Sequence, residues 1–168
     1  MPETVAARHR ILGIVLFVAV LLADRISKEW LIGLLDGQDP IAVTDFFNLV
    51  MVWNRGVSFG LFQQGDDMGR YVLTGFAVVV ALLLLVWMWR SHGRLAVSGL
   101  ALVAGGALGN AYDRVALGAV ADFFDFHVSG YHFWAFNIAD SAITVGVGLL
   151  LLDAFLGRPT DGPTTKER

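Results

Sequence analysis

The chain has 168 residues, 56% of them apolar and only 16% charged, with a net charge of −3 and a mean hydropathy of +0.64. A soluble domain carries about a quarter charged residues, so this composition belongs to the membrane class, and the small acidic charge with no basic run argues against a nucleic-acid partner. The absence of cysteine removes disulfides, a thiol nucleophile and thiolate metal sites.

Taken in chain order, Ile11–Ala23 is uncharged and its helical pattern runs on through Asp24, Arg25, Lys28 and Glu29, predicting a first span over about 11–32. Charged residues follow Ala23 directly, where a cleavable leader would place small ones, so this span is expected to be retained. A long loop, about 33–69, comes next. Within it Phe46–Trp53 (FFNLVMVW) is β-branched and aromatic and precedes Gly56 and Gly60. That pattern predicts a short hairpin or small sheet at the membrane surface, with Phe46, Phe47, Trp53, Phe59 and Phe62 at headgroup depth.

Tyr71–Trp89 is uncharged over nineteen residues, enough at 1.5 Å per residue to cross about 30 Å of hydrocarbon. It predicts a second span over about 70–90. Leu95–Tyr112 predicts a third over about 95–114, in which Gly105 and Gly109 have the small-xxx-small spacing of a close helix contact. The loop of about 115–136 carries Phe123, Phe124, Tyr131, Phe133 and Trp134 and is expected on the membrane surface. A fourth span over about 137–156 is broken only by Asp140 and Asp153. Residues 158–168 are polar and expected to be disordered. The predicted fold is an all-α membrane protein forming a single domain over 1–168, with four transmembrane helices and a small extracytoplasmic β-rich loop subdomain.

Seven of the twelve basic residues fall in the N-terminal arm, the connection between spans two and three, and the tail. By the positive-inside rule both termini are cytoplasmic. Asp24, Lys28, Asn110, Asp113, Arg114, Asn137 and Asp140 then all reach the outer face, with Asp122 in the loop between them. Asp24 and Lys28 are spaced i,i+4 with the acid first, the favourable order for a helical ion pair. Ionisable groups at membrane level are costly and usually face a bundle interior or a functional cavity.

Elimination narrows the chemistry of this cluster. No GxSG or HExxH motif occurs, and His9, His92, His127 and His132 have no ligand-pair spacing. Carboxylates remain. Two aspartates close together share a proton, one activating a water while its protonated partner polarises a carbonyl. Four acids are candidates. Asp122 and Asp140 flank a loop that can fold back to bring them together, whereas Asp24 and Asp113 have basic residues nearby and suit a structural role better. The residues alone leave that choice open.

Five stretches in order, DRISK (Asp24–Lys28), NRGVSFG (Asn54–Gly60), GGALGNAYDR (Gly105–Arg114), VADF (Val120–Phe123) and FNIADS (Phe136–Ser141), resemble the lipoprotein signal peptidase (signal peptidase II) family over nearly the whole chain. The resemblance implies an aspartyl endopeptidase with Asp122 and Asp140 as its dyad and no metal or cofactor. It implies removal of signal peptides from diacylglyceryl-modified prolipoproteins, cut just before the lipidated cysteine at the outer face of the bacterial inner membrane. Asn54, Gly56, Asn110, Arg114 and Asn137 are then substrate-binding or site-lining, and Asp24, Lys28 and Asp113 support the fold. The implied partners are those prolipoproteins and membrane lipids, with the enzyme monomeric. Presenilin-like or prepilin-peptidase chemistry lacks its GxGD motif here, and an ion path would need charges through the inner halves of spans two and four.

Overall fold

The computed structural model describes residues 3–56 and 67–156; the expectations for Phe59, Phe62, Gly60 and the tail lie outside them. The elements are α1 (Glu3–Leu35), β1 (Ile41–Thr44), β2 (Phe47–Asn54), α2 (Asp67–Arg90), α3 (Arg94–Ala116), β3 (Val120–Val128), β4 (Tyr131–His132) and α4 (Ile138–Leu156). All four helices are long and apolar enough to cross a membrane. Their bounds agree with the expected spans except that α1 begins at Glu3, eight residues before the uncharged run. At 1.5 Å per residue its 33 residues measure about 50 Å, longer than the hydrocarbon needs.

The helix arrangement inverts the usual relation between hydropathy and burial. α3 has the lowest mean hydropathy of the four, 1.4, yet 56% of its apolar window is buried against 11–17% in the others. The reason is solvent. In lipid an outer helix must be apolar all round, as the exposed Phe76, Leu83 and Trp87 of α2 show, whereas a central helix meets only protein and tolerates glycine and polar side chains. α3 packs against α1, α2 and α4, while α2 barely touches α1.

Glycines set the close approaches. A Cβ on Gly105 would meet Val20 of α1 at 3.1 Å, and one on Gly109 would meet Asp24 Oδ2 at 2.6 Å. These are the two positions of the predicted small-xxx-small contact, and they face α1. A second glycine seam, not anticipated, faces α4: Gly99 lies against the Gly146 carbonyl and Gly106 against that of Ala139.

The two loops build one antiparallel sheet in the order β1-β2-β3-β4. The hairpin expected around Phe46–Trp53 is β1–β2, but its other partner, β3, comes from the 115–136 loop, which was expected only as a surface segment. The aromatic and β-branched content of VADFFDFHV was the available signal. A small core of Leu31, Leu35 and Phe123, with Leu49, Met51 and Ile138 packed on it, seats the sheet on the end of α1. Phe47 packs against Phe124 and Phe126, with ring centroids 5.9 and 4.7 Å apart and the rings tilted, so it contributes to the sheet. Asn48 and His132 both reach the Asp125 carboxylate, at 3.1 and 2.8 Å, tying three strands together at the far end.

One irregularity matters for function. β2 pairs Leu49 with Phe124 but Val52 with Asp122, so an extra residue is accommodated between them. Because side chains alternate with a period of two, a one-residue bulge exchanges the faces of everything beyond it. Phe47 and Leu49 share a face with Phe126 and Phe124; past the bulge, Val52 and Asn54 share that face with Asp122 and Val120. Asn54 thereby comes alongside Asp122, and Trp53 turns to the opposite side, where its Nε1 donates to Asp36 at the end of α1, 3.1 Å away.

Candidate active site

The polar residues expected to converge do so, from α1, α3, β2, β3 and the start of α4. Asn137 is the N-cap of α4 and Asp140 is its N3 residue. Asn137 Oδ1 accepts from the Asp140 N–H at 3.0 Å, and Asp140 Oδ2 accepts from the Asn137 N–H at 3.2 Å. This is a reciprocal capping box, legible in the spacing N-x-x-D, so Asp140 is held by the same bonds that begin its helix. Asn137 Nδ2 reaches Asp122 Oδ1 at 2.7 Å, with the Ala121 carbonyl at 3.2 Å and Asn110 Oδ1 at 3.1 Å also within range. Asn137 therefore touches both acids.

Each acid receives two N–H groups. Asp122 accepts from Asn137 and, at 3.1 Å, from Asn54 Nδ2. Asp140 accepts from the Asn137 backbone and, at 2.8 Å, from Asn110 Nδ2. Gly56 has φ +151°, a region that disfavours side chains, and its N–H donates to Asn54 Oδ1 at 3.1 Å. The glycine thus closes a turn that fixes which end of the Asn54 amide faces Asp122.

Behind the acids lies a buried ionic group. Lys28 is fully buried, and its Nζ donates to Asp24 Oδ2 at 2.8 Å, Asp113 Oδ2 at 2.7 Å and Asn110 Oδ1 at 3.0 Å. Three acceptors satisfy three N–H donors, the condition under which a buried charge is tolerated. The i,i+4 pair expected from sequence is present. Asp113, however, takes its ion pair from Lys28 across the helix interface and not from its neighbour Arg114. Both acids continue into backbone: Ala139 N–H donates to the other oxygen of Asp24, Oδ1, at 2.9 Å, and Ala121 N–H to the same Asp113 Oδ2 that faces Lys28, at 3.3 Å. These two alanines, fully buried and directly before Asp140 and Asp122 respectively, carry no functional group, and sequence reasoning passed over them.

Arg114 is half-buried; its Nη1 donates to the Asn110 carbonyl at 3.2 Å, and its Nε has no hydrogen-bond partner among the described residues. His127 and His132 stack on each other at 4.9 Å near the far end of β3, beside Asp125. No metal-ligating cluster occurs among the described residues.

Electrostatics separate the two dyad candidates. Asp122 is 2% exposed and Asp140 half-exposed. Burial pushes the Asp122 carboxyl up to about 6, and the Asp140 charge adds to the rise; hydrogen bonds from Asn54 and Asn137 and the Lys28 cation oppose it. A carboxyl that titrates near neutrality beside a second carboxyl is suited to general acid–base work.

Four helices long and apolar enough to cross a membrane, with two carboxylates bridged by Asn137 at one end of the bundle, define a polytopic membrane protein with a polar site at that end. The family model described as signal peptidase (SPase) II matches residues 16–156. Proteins called lipoprotein signal peptidase are similar over most of their length: one from Methylobacterium sp. (strain 4-46) is 47% identical, covering 87% of this chain and 90% of that one. Another, from Nitrobacter hamburgensis, is 47% identical, covering 88% and 93%, and one from Beijerinckia indica is 41% identical, covering 92% and 93%. A bacterial membrane enzyme solved by the in meso method at 1.9 Å superposes with a TM-score of 0.74 at 29% identity, covering 90% of this chain and 94% of that one. The chain belongs to the signal peptidase II family and is a protease.

Proposed function

We propose that the chain removes signal peptides from lipoprotein precursors as an aspartyl endopeptidase, with Asp122 and Asp140 as the dyad. The observation that carries this reading is Asn137, whose side chain and backbone bond to both carboxylates at 2.7–3.2 Å, so the two acids are held as one unit. Asp122, the more buried, carries the shared proton and donates it to the scissile carbonyl oxygen. Asp140, which accepts from the Asn110 amide and the Asn137 N–H at the N-terminus of α4, takes a proton from the attacking water. The tetrahedral gem-diol collapses as the leaving amine takes that proton from Asp140 and one of its hydroxyls returns a proton to Asp122, which restores the dyad. Arg114, with its Nε unpaired among the described residues, is placed to hold a substrate carbonyl.

The scissile bond lies just before a diacylglyceryl cysteine. Two acyl chains confine such a substrate to one leaflet, so a site at the end of the bundle meets an oriented, concentrated peptide bond. The exposed Tyr131, Phe133 and Trp134, close before α4, are amphipathic or aromatic groups of the kind favoured at the lipid–water interface, and they place the sheet there. This face is extracytoplasmic and both termini are cytoplasmic; the enzyme is a monomer.

The test compares purified enzyme on a diacylated precursor and on the same precursor without lipid. Cleavage of the lipidated form alone is expected, and equal rates on both would overturn the substrate assignment. A second expectation concerns pH. Asn54→Ala removes a hydrogen bond that favours ionised Asp122, so the proton is held more tightly and the alkaline limb of kcat/KM moves upward. A net hydrogen bond of about 0.5–1.5 kcal/mol corresponds to roughly 0.4–1.1 pH units. A downward shift in the variant's pH–rate profile would contradict the role given to Asp122.

A further inference from the structure

We infer that Lys28, which touches neither dyad carboxylate, is a positioning residue of the reaction: its three N–H bonds set the placement of both acids. This rests on the dyad reading above. The first arm runs through Asp24 to the Ala139 N–H, the peptide directly before Asp140. The second runs through Asp113 to the Ala121 N–H, directly before Asp122. The third runs through Asn110, whose Oδ1 faces Lys28 at 3.0 Å and whose Nδ2 faces Asp140 Oδ1 at 2.8 Å. The Asp24 arm spans both carboxylate oxygens, whereas in the Asp113 arm Oδ2 takes both the Lys28 ammonium and the Ala121 N–H; the two arms come from different helices and end on different elements.

The amide arm shows why a cation is required there. Three asparagines present an NH2 group to a dyad acid or bridge the pair, and an amide can flip unless its oxygen is claimed by an obligatory donor. For Asn54 that donor is the Gly56 N–H, and for Asn137 it is the Asp140 N–H. Both are backbone groups. Asn110 Oδ1 receives Asn137 Nδ2 and the Lys28 ammonium. Lys28 has no acceptor, so it holds the oxygen inward and the NH2 on Asp140. A flipped Asn110 would set its oxygen against the Asp140 carboxylate, where repulsion would push that carboxylate out of place.

A purely structural lysine would change how much enzyme is folded and nothing else. A positioning lysine changes kcat and the pH profile per folded molecule, because the substrate does not touch it. The charged groups facing the dyad are Arg114 and Asp113 from α3 and Asp24 and Lys28 from α1; β2 contributes only the neutral Asn54. In Lys28→Met a cation is lost, and no remaining change replaces the positive charge, so both limbs of the pH–rate profile move to higher pH.

The experiment measures kcat, KM and pH–rate profiles on a diacylated precursor for Lys28→Met, Lys28→Arg and Asn110→Ala, with enzyme quantified as folded material after detergent gel filtration. For Lys28→Met we expect kcat to fall by at least 10-fold, KM to stay within about twofold, and both limbs to rise. Asn110→Ala cuts one arm while leaving Lys28 paired with Asp24 and Asp113, and is expected to reproduce the upward shift in smaller measure. If Lys28→Met does not fold, Lys28→Arg decides, since it keeps the charge but replaces a tetrahedral head with a planar fork. A kcat fall with unchanged KM in Lys28→Arg supports the inference; kcat within threefold of wild type overturns it. An unshifted profile in a folded Lys28→Met also overturns it. Asp122→Asn and Asp140→Asn are assayed alongside: activity in these would sink the dyad itself, whereas inactive dyad variants beside a normal Lys28 variant would sink only this inference.

Discussion

Asp122→Asn and Asp140→Asn are each expected to lower kcat by at least about 10²–10⁴-fold, the usual worth of a positioned general acid or base, while leaving the protein folded. The hydrogen bonds give the reason for both halves. In Asp140→Asn the new amide oxygen still accepts from the Asn137 N–H, so α4 keeps its capping box. Its NH2 then meets the NH2 of Asn110, which Lys28 holds in place. In Asp122→Asn the oxygen still accepts from Asn137, and the NH2 meets Asn54, held by Gly56. Each variant forfeits one hydrogen bond, about 1–3 kcal/mol with an unmet donor, a loss that falls on a single side chain and leaves the remaining network in place. Melting in detergent should therefore change by no more than a few degrees while cleavage of a lipidated precursor is lost. Retention of more than about a tenth of wild-type turnover in either variant would exclude its residue from the dyad.

Gly106→Ala is expected to be the most damaging small substitution in the helix bundle. Its Cβ would be driven into the Ala139 carbonyl oxygen and would lie 2.8 Å from Ile143 Cγ1. Neither neighbour can retreat cheaply. Ala139 is anchored through its N–H to Asp24, which Lys28 holds from the other side, and Asp140 is the next residue. Relief requires α4 to move outward, carrying a dyad acid with it. Overpacking of this kind costs about 1–3 kcal/mol, and a displacement near 1 Å at a catalytic group can cost about 10²-fold in rate. Gly148, on the same helix pair, has nothing within 4 Å of an added Cβ, and Gly148→Ala should be neutral or slightly stabilising through helix propensity. Melting temperature and turnover of the two variants, measured side by side, check the prediction; equal behaviour would mean that the α3–α4 approach is not required.

Much of this arrangement was legible in the chain. Uncharged runs of the right length marked the four spans because lipid offers backbone groups no partner and side chains no water. The i,i+4 spacing of Asp24 and Lys28 and the N-x-x-D spacing of Asn137 and Asp140 are local, so helical geometry alone brings those groups together. The resemblance to the signal peptidase II family, carried by five ordered stretches, is in agreement with the family match over residues 16–156. It singled out Asp122 and Asp140 where residue types and spacing had left four acids in play.

The rest depended on contacts distant in sequence. Lys28 and Asn110 are 82 positions apart, and Ala139 and Asp24 115 apart. No periodicity reports such pairs, and the alanines enter through backbone N–H groups that every residue possesses. The pairing of β2 with β3 joins two loops separated by two helices, and its bulge is a matter of register. One extra residue there decides that Asn54, and not Trp53, faces Asp122.

The sequence by itself determined that this is a four-span membrane protein whose polar groups gather at one end of the bundle, because hydropathy and helical spacing are local properties paid no regard by tertiary detail. Only the tertiary structure decided what each of the four acids touches. Asp24 and Asp113 are consumed by Lys28 and two backbone N–H groups, whereas Asp122 and Asp140 receive neutral amides and no direct cation. A carboxylate tied to a buried ammonium and a backbone N–H is committed to the packing of the bundle; one held by amides has no cation in contact with it. That physical difference lies in what each acid touches, and the chain must fold before it exists.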